Sequence, residues 1–289
     1  MAIIGVGPAG LSAAVTAEQK NLTYIAIEQG KVLSTIHGYP KNKYVFFNPV
    51  GTQAHGALPI AGKGDQREKL LDEWEDLKTS CGGKIKEGES CVEVKRSEDG
   101  EYFVVNTEKG KEREPFTYLA HRVILAVGKS GARRMLNPEY VEPGTAADRV
   151  RYELTDPESF KGKRIAVVGG GNSAVEAAIA LVARRDGDEI VFRPPEETNE
   201  VSLLVRSAFT EDLKFENKML IYRCFDAGKV TLYIGAAVKE LRPGQVVIWD
   251  SNKKEKKSIP NDYILAMIGG GYPYELLRKI GIVIPKPEG

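Results

Sequence analysis

The chain has 289 residues, of which 42% are hydrophobic, and its 41 basic and 40 acidic side chains give a formal net charge of +1. This length and apolar content predict two domains, and the balanced charge predicts neither a nucleic-acid nor a membrane partner. The absence of a signal-peptide pattern and of any run of eighteen apolar residues predicts a soluble, cytoplasmic chain.

The chain starts with a short apolar strand followed by a glycine-rich turn. The stretch AIIGVGPAGLSAAVTAE holds Gly5, Gly7 and Gly10 before an alanine-rich helix. In such a strand, turn and helix, the first glycine makes the turn, the second admits a pyrophosphate and the third allows close packing of helix on strand. The helix start then offers free N–H groups and a positive dipole end to the phosphates.

The next strand ends in an acidic residue. In NLTYIAIEQG, Glu28 follows the last glycine of the loop by eighteen residues. A carboxylate at this position accepts hydrogen bonds from the hydroxyls of an unphosphorylated adenosine ribose. The first site therefore predicts FAD or NAD and excludes NADP.

A helix and a meander follow. Residues 66–80 carry apolar side chains at helical spacing, and after Gly88 the alternating runs CVEVKR, EYFVVNTE and PFTYLA predict three antiparallel strands. RVILAVG, residues 122–128, then predicts a buried strand.

The glycine-rich unit occurs a second time. IAVVGGGNSAVEAAIAL places Gly169, Gly171 and Ala174 where the first copy has its three glycines, 164 residues earlier. A single glycine loop is weak support for nucleotide binding, since it is also found in plain turns, but two copies with strand and helix are strong support.

The second copy lacks the expected acid. Glu28 follows Gly5 by 23 residues. The residue 23 positions after Gly169 is Phe192, and Arg193 is its neighbour. Because a guanidinium binds a 2′-phosphate that a carboxylate repels, we expect Arg193 to select NADP(H). The alternative is that Arg193 only caps a strand end.

With YILAMIGG at 263–270, these motifs are similar over essentially the whole chain to the thioredoxin-reductase-like flavoproteins of the two-dinucleotide-binding-domain family. The resemblance implies an α/β protein with two Rossmann-like three-layer nucleotide-binding domains, the second inserted in the first, each with a β-meander. It implies an FAD-binding domain of residues 1–128 and 256–289 and an NAD(P)H-binding domain of residues 129–255.

The resemblance also implies two sets of cofactor-binding residues. Those expected to hold FAD are Gly5, Gly7, Pro8, Ala9, Gly10, Glu28, Gln29, Val92, Ala126, Gly128 and Gly269. Those expected to hold NADP(H) are Gly169, Gly171, Asn172, Ser173, Ala174 and Arg193, with Arg206 as a weaker second candidate for the 2′-phosphate.

The cysteines and histidines set limits on the chemistry. The three cysteines, at 81, 91 and 224, form no Cys-x-x-Cys pair, and the three histidines show no metal-ligand spacing. We therefore expect no metal and no internal dithiol relay. Catalytic acids or bases cannot be assigned, because His37, Tyr39 and Tyr44 are better explained as loop residues.

The chain most resembles the cysteine-free members, such as the ferredoxin-NADP reductases of thioredoxin-reductase type. It is also similar to the bacillithiol disulfide reductase-like proteins, although these carry a cysteine in the first phosphate loop where this chain has Ala9. The resemblance implies hydride transfer from NADPH to a flavin and electron transfer to a ferredoxin-like protein, with a homodimer expected. Two alternatives remain: a degenerate nucleotide-binding module without turnover, or an NADPH-dependent reductase of a small disulfide or quinone. The family's Ala-Gly-Asp segment does not follow residue 270, so another domain of a larger chain is the alternative partner. The lysine-rich segment 251–258 is expected to be a solvated turn, with acidic-ferredoxin docking as its alternative.

Overall fold

A computed structural model describes residues 1–46, 56–59, 64–128, 132–186, 189–271 and 273–284. The chain divides into two compact units, one of Met1–Arg133 with Gly270–Gly289 and one of Arg134–Gly269. Among the described helices, none has the length and apolar character needed to cross a bilayer.

The first part of unit 1 contains the first glycine loop and the predicted helix and meander. Its described elements, in chain order, are β1 (Ala2–Ile4), α1 (Pro8–Gln19), β2 (Ile25–Glu28), α2 (Ser34–His37), β3 (Tyr44–Phe46), β4 (Gly64–Gln66), α3 (Arg67–Ser80), β5 (Ile85–Glu87), β6 (Glu89–Arg96), β7 (Phe103–Lys109), β8 (Glu114–Ala120), β9 (Val123–Leu125) and β10 (Ala132–Arg133).

Unit 1 has three layers around a parallel sheet of order β5-β2-β1-β9. Side chains alternate along β1, so Ile3 packs among residues of α1 and α3, whereas Ala2 and Ile4 pack against the meander β6-β7-β8. The predicted helix and meander are confirmed. The RVILAVG strand is less buried than expected, because β9 is an edge strand whose Ile124 is 37% exposed.

Unit 2 repeats this plan. Its described elements are β11 (Tyr140–Val141), β12 (Val150–Arg151), β13 (Arg164–Val168), α4 (Asn172–Val182), β14 (Ala183–Asp186), β15 (Glu189–Phe192), β16 (Glu200–Val205), α5 (Phe215–Asp226), β17 (Val230–Ile234), β18 (Ala236–Arg242), β19 (Gln245–Asp250), β20 (Glu255–Pro260) and β21 (Tyr263–Ala266). The chain then returns to unit 1 as β22 (Gly270–Gly271) and α6 (Tyr274–Lys279).

The parallel sheet of unit 2 has the order β12-β21-β13-β16-β17. Along β13, Ile165 and Val167 pack among residues of α4 and α5, whereas Ala166 and Val168 pack against the meander β18-β19-β20. The two units are therefore versions of the same three-layer fold, as expected for Rossmann-like domains.

The unit boundary differs from the expected one. The resemblance predicts residues 256–269 in the first domain, but β20 pairs with β19 and β21 pairs with both β12 and β13 inside unit 2. The chain re-enters unit 1 only at β22, which pairs with β10. YILAMIGG is thus the counterpart in unit 2 of RVILAVG in unit 1, and not the strand by which the chain re-enters unit 1.

Unit 2 also contains an additional hairpin. Between α4 and β16 the chain forms the antiparallel pair β14–β15, whereas in unit 1 the helix α1 leads directly to β2. The glycines Gly5 and Gly169 are 164 residues apart, but Ile27 and Leu204, which hold equivalent places in the two sheets, are 177 apart. The hairpin and the turn after it account for this difference.

Candidate functional site

The first glycine loop is held tightly between two strands. Gly5 donates its N–H to the Ile27 carbonyl at 2.8 Å and has a φ of +89°, which glycine adopts without strain. A Cβ on Gly5 would lie 2.6 Å from the Ala126 oxygen, and one on Gly10 would lie 1.9 Å from the Gly5 oxygen. The first and third glycines are therefore required by packing alone.

The middle of the loop is open instead. A Cβ on Gly7 would meet no atom within 4 Å, and Gly7 is the N-cap of α1, with no side-chain cap and no acidic residue in the first turn. The first N–H groups of a helix have no partner within it, so those of Ala9 and Gly10 point to this open space. The geometry fits a pyrophosphate at the positive end of the helix.

Glu28 lies beside this loop at the end of β2. Its carboxylate accepts the Val6 N–H at 2.8 Å and the Gly30 N–H at 2.9 Å, and the residue is 7% exposed. A carboxylate offers about four acceptor positions, so about two remain for ribose hydroxyls. The exposed Gln29 follows it at the same edge of the sheet.

The meander contributes an irregular strand. The pairing of β6 with β7 shifts register between Cys91 and Glu93, which leaves Val92 as the extra residue of a β-bulge. The extra residue of a bulge has unpaired backbone groups, so Val92 fits the expected backbone contact with an adenine. The strands β6 and β2 are in contact, which places this bulge in the same unit as Glu28.

The second glycine loop has the same construction. Gly169 donates to the Leu204 carbonyl at 3.0 Å, and a Cβ there would lie 2.4 Å from the Met267 oxygen. Gly171 is the N-cap of α4, again with no side-chain cap and no acid in the first turn, and Ser173 is exposed. Unit 2 therefore offers a second helix start suited to phosphate.

The carboxyl end of β16 is the structural counterpart of the Glu28 position. Because Ile27 and Leu204 accept the equivalent N–H groups, Val205 corresponds to Glu28 and Arg206 corresponds to Gln29. Val205 is buried, whereas Arg206 is exposed. The second site thus has a cation and no carboxylate, and the residue concerned is Arg206.

Arg193 does not lie at the end of β16, so the prediction that it occupies the counterpart of the Glu28 position is wrong. It follows β15 in the additional hairpin, and the 23-residue count failed because it assumed that a strand of the parallel sheet follows α4 directly. The Arg193 guanidinium is buried: Nε and Nη2 donate to the Ala180 carbonyl at 3.2 and 3.0 Å, and Nη1 donates to Glu158 at 2.7 Å. This bond to Arg193 holds the pKa of Glu158 well below its usual range, at about 2. Arg193 therefore fastens the hairpin, which agrees with the structural alternative.

Asn172 also differs from the expectation, because its side chain does not face the open side of the loop. Its Oδ1 accepts from the Lys214 N–H at 3.0 Å and from Asn217 Nδ2 at 2.9 Å, while its Nδ2 donates to the Asp212 carbonyl at 2.9 Å. Thr210 donates its N–H to the Gly170 carbonyl at 2.9 Å. Asn172 thus fastens segment 206–214, which begins with Arg206, to the second glycine loop.

Thr210 and Asn217 were missed in the sequence. Their contacts link segments about forty residues apart, and a single sequence shows no pattern for such pairs. Gly128 and Gly269, each with positive φ and with open space on the Cβ side, follow the strands β9 and β21.

The residues considered for acid or base chemistry have local partners. His37 Nε2 lies 3.0 Å from a Glu75 oxygen, the Lys43 ammonium lies over the Tyr39 ring, and the Tyr44 hydroxyl donates to the Gly64 carbonyl. These contacts join loops and helices of unit 1, so we assign none of these side chains a chemical role.

The chain is similar to known reductases over nearly its whole length. A model of the family described as pyridine nucleotide-disulphide oxidoreductase matches residues 2–288. The bacilliredoxin reductase of Bacillus subtilis is 26% identical over 99% of this chain and 82% of its own length. A ferredoxin-NADP reductase of Ignicoccus hospitalis is 27% identical over 97% of this chain and 80% of its own length.

Solved structures agree with this result. The bacillithiol disulfide reductase of Staphylococcus aureus superposes with a TM-score of 0.78 at 25% identity, over 99% of this chain and 81% of its own. The thioredoxin reductase of T. acidophilum, at 20% identity and a TM-score of 0.70 over 99% of this chain and 81% of its own, shares the fold. The chain belongs to the pyridine nucleotide-disulphide oxidoreductase family and is an NAD(P)H-dependent flavoprotein oxidoreductase with FAD and NADP(H) as its cofactors.

Proposed function

We propose that this chain takes hydride from NADPH at unit 2 and passes the electrons through FAD bound at unit 1 to a ferredoxin-like protein. The observation that carries the proposal is the contrast between two equivalent strand ends. One presents the carboxylate of Glu28 and the other presents the guanidinium of Arg206, each beside a helix start with no side-chain cap and no acidic residue in its first turn.

In unit 1, the N–H groups of Ala9 and Gly10 bind the FAD pyrophosphate, Glu28 accepts the ribose hydroxyls and the Val92 backbone meets the adenine. The bound flavin supplies a hydride acceptor that can release electrons singly. Gly128 has no side chain in the open space beside it, so it leaves room for ligand atoms, whereas Gly269, also expected to hold FAD, lies in unit 2. These residues bind and orient, and none of them transfers a proton.

In unit 2, the N–H groups of Asn172 and Ser173 bind the NADP pyrophosphate and Arg206 binds the 2′-phosphate. A guanidinium forms charge-assisted, often bidentate bonds with phosphate, whereas NADH presents only hydroxyls there. Arg206 has no ion pair or hydrogen bond among the described residues, so it is available for this role. The preference for NADPH then comes from Arg206, and Asn172 positions the segment that carries it.

The three cysteines of the chain are poorly suited to relay electrons from a bound flavin. Cys81 and Cys224 are buried, and burial raises the pKa of both Cys91 and Cys224 to about 11. A thiol with so high a pKa is protonated at neutral pH and is a poor nucleophile. A bound flavin would therefore have to reduce the acceptor directly, which suits a one-electron carrier of the ferredoxin type.

The contacts in segment 251–258 bear on the alternative that this segment docks an acidic ferredoxin. Lys256 pairs with Glu240 at 2.6 Å, and the Lys257 ammonium lies over the Tyr233 ring. These lysines are therefore held by their own unit, which weakens the alternative that they dock an acidic protein. A homodimer and completion by another domain of a larger chain stay predictions.

A second candidate is the reduction of a small disulfide. It is favoured by the similarity to the bacillithiol disulfide reductase and bacilliredoxin reductase, which extends over 99% of this chain. The alternative of a binding module without turnover is dropped, because the chain is an oxidoreductase.

The test is anaerobic reduction of the FAD-loaded protein, followed in the visible spectrum. We expect NADPH to bleach the flavin at a concentration at which NADH does not, and added oxidised ferredoxin to restore the colour faster than a low-molecular-weight disulfide does. Faster recovery with the disulfide would favour the second candidate. Failure of NADPH to bleach the flavin would overturn the proposal.

A further inference from the structure

Unit 2 contains a cleft of about 350 Å³ at the amino ends of its parallel strands. Three of the lining residues directly precede neighbouring strands of the sheet: Arg149 precedes β12, Asp262 precedes β21 and Lys163 precedes β13. Nucleotides bind at the carboxyl ends of such strands, where Gly169 and Arg206 lie. The cleft is therefore at the opposite edge of the sheet from the nucleotide site.

The wall of this cleft includes a buried arginine that has only neutral partners. Arg149 is 5% exposed, and it donates to the Arg242 carbonyl through Nη1 and to the Asn261 carbonyl through Nη2 at 2.8 Å. Its Nε and Nη2 also donate to Asn261 Oδ1, at 3.1 and 2.6 Å. In the part of the chain that the structure describes, no carboxylate forms an ion pair with Arg149. A buried charge is costly unless an opposite charge compensates it.

The carboxylate of Asp262 lines the same cleft but is already neutralised by Arg164. It accepts from Arg164 Nη2 at 2.6 Å, from Nε at 3.2 Å and from the backbone N–H at 2.9 Å. These bonds to Arg164 lower the pKa of Asp262, with a small addition from Lys163. Burial lowers the pKa of Arg149, and the effect of Arg164 on it opposes that of Asp262. The charge of Arg149 therefore stays uncompensated.

The cleft retains donors that an anion could use. A guanidinium has five N–H groups, and the bonds of Arg149 occupy those on Nε and Nη2 and one on Nη1, so one on Nη1 remains. The ammonium of Lys163 is exposed and makes no ion pair or hydrogen bond with any described residue. Two cations thus line the cleft, together with one carboxylate that has no partner among the described residues, that of the exposed Asp148.

We propose that this cleft binds a phosphate group, as inorganic phosphate or as part of a small phosphorylated compound, through the free donors of Arg149 and Lys163. An arginine holds a planar carboxylate best with two parallel N–H bonds, and Asn261 already takes that fork of Arg149. A tetrahedral phosphate can instead accept single bonds from separate donors, and a lysine acts on it as a point charge. The site is distinct from the two glycine loops.

The experiment is calorimetric titration of inorganic phosphate into the FAD-loaded protein, saturated with 2′,5′-ADP and held at constant ionic strength. Lys163→Gln should weaken phosphate binding about tenfold, because it removes a charge-assisted contact. Lys253→Gln is the matched control, since Lys253 is an exposed lysine of unit 2 at the other end of the β19–β20 hairpin from Asn261. It removes the same charge and should leave the affinity within about twofold.

A substitution with the opposite effect guards against misfolding. Asp148→Asn removes the unpaired carboxylate from the cleft, so it should strengthen phosphate binding about threefold. Damage to the fold cannot produce tighter binding. No phosphate binding by the native protein, equal weakening by Lys163→Gln and Lys253→Gln, or weaker binding by Asp148→Asn would each overturn the proposal.

A crystal soaked with arsenate locates the anion directly and needs no variant of the buried Arg149. Anomalous signal beside Arg149 and Lys163 would support the site, and signal at other places only would overturn it. Titration with glycerol 3-phosphate distinguishes the two sources of the phosphate group. Binding tighter than that of inorganic phosphate would support a phosphorylated compound as the ligand, and weaker binding would support free phosphate.

Discussion

Replacing Arg206 and Arg193 of unit 2 by alanine should have different effects, the first on nucleotide selection and the second on stability. Arg206 is exposed at the end of β16, whereas Arg193 is buried and bonded to the Ala180 carbonyl and to Glu158. A hydrogen bond to a charged group contributes about 1.5–3 kcal/mol, which corresponds to roughly 10- to 150-fold in affinity. Because the 2′-phosphate would lie at an exposed position and be screened by salt, the lower part of that range is expected for Arg206→Ala.

Arg193→Ala should change stability instead. It removes both donors from the carbonyl of half-buried Ala180, and leaving a buried acceptor without a partner costs about 1–3 kcal/mol at most. The lost ion pair adds little, because Glu158 is 42% exposed and water solvates its carboxylate. We therefore expect a free energy of unfolding lower by about 1–3 kcal/mol, with the affinity for the phosphate unchanged.

The assay is calorimetric titration with 2′,5′-ADP and with 5′-AMP, which reads the phosphate contact without flavin turnover. Arg206→Ala should weaken 2′,5′-ADP about tenfold or more and leave 5′-AMP within about twofold. Arg184→Ala, which removes an exposed arginine of the hairpin, is the control for net charge. Loss of 2′,5′-ADP affinity in Arg193→Ala with none in Arg206→Ala would refute the equivalence of β2 and β16.

Three further outcomes follow from the same contacts. Asn172→Ala should weaken 2′,5′-ADP several-fold in calorimetry without a large loss of stability, and an unchanged affinity would contradict its positioning role. Gly10→Ala should abolish FAD retention in gel filtration, because there is no space for its Cβ. Gly7→Ala should still fold, as judged by circular dichroism, and should bind FAD more weakly. Equal FAD retention by both variants would exclude an open ligand side at Gly7. The folded pKa of Glu158 is lowered to about 2 from 4.5, so its contribution, which solvent screening keeps small, is present above pH 4.5 and lost as the pH falls toward 2. Glu158→Gln should therefore slightly flatten the decline of the melting temperature across that interval. An unchanged slope would show that the Arg193 contact does not contribute.

The features that the sequence could predict are local ones. Gly10 is required by its close contact with Gly5 in the same turn, and Glu28 follows its glycine loop through one uninterrupted βαβ step. Such patterns depend on residues close in the chain, so spacing alone locates them.

Residue spacing does not lead to Arg206, because a hairpin interrupts the second βαβ step. A hairpin changes the count without changing the register of β13 and β16, and only the sheet shows that Gly169 meets Leu204. The VSLLVR run, an apolar strand ending in a polar residue like IAIEQ, was the available signal.

Glu28 and Arg206 also differ in whether the side chain is already fixed before a ligand binds. Glu28 is fixed by two backbone N–H groups, whereas the exposed Arg206 side chain must become ordered when a phosphate arrives. Ordering a long side chain makes the binding free energy less favourable by about 0.5–1.5 kcal/mol. A preformed acceptor therefore favours slow release of its ligand, and a mobile side chain favours rapid exchange. On the proposed assignment, the same fold used twice would provide one nucleotide site suited to long residence over many turnovers and another suited to a nucleotide that leaves after each one.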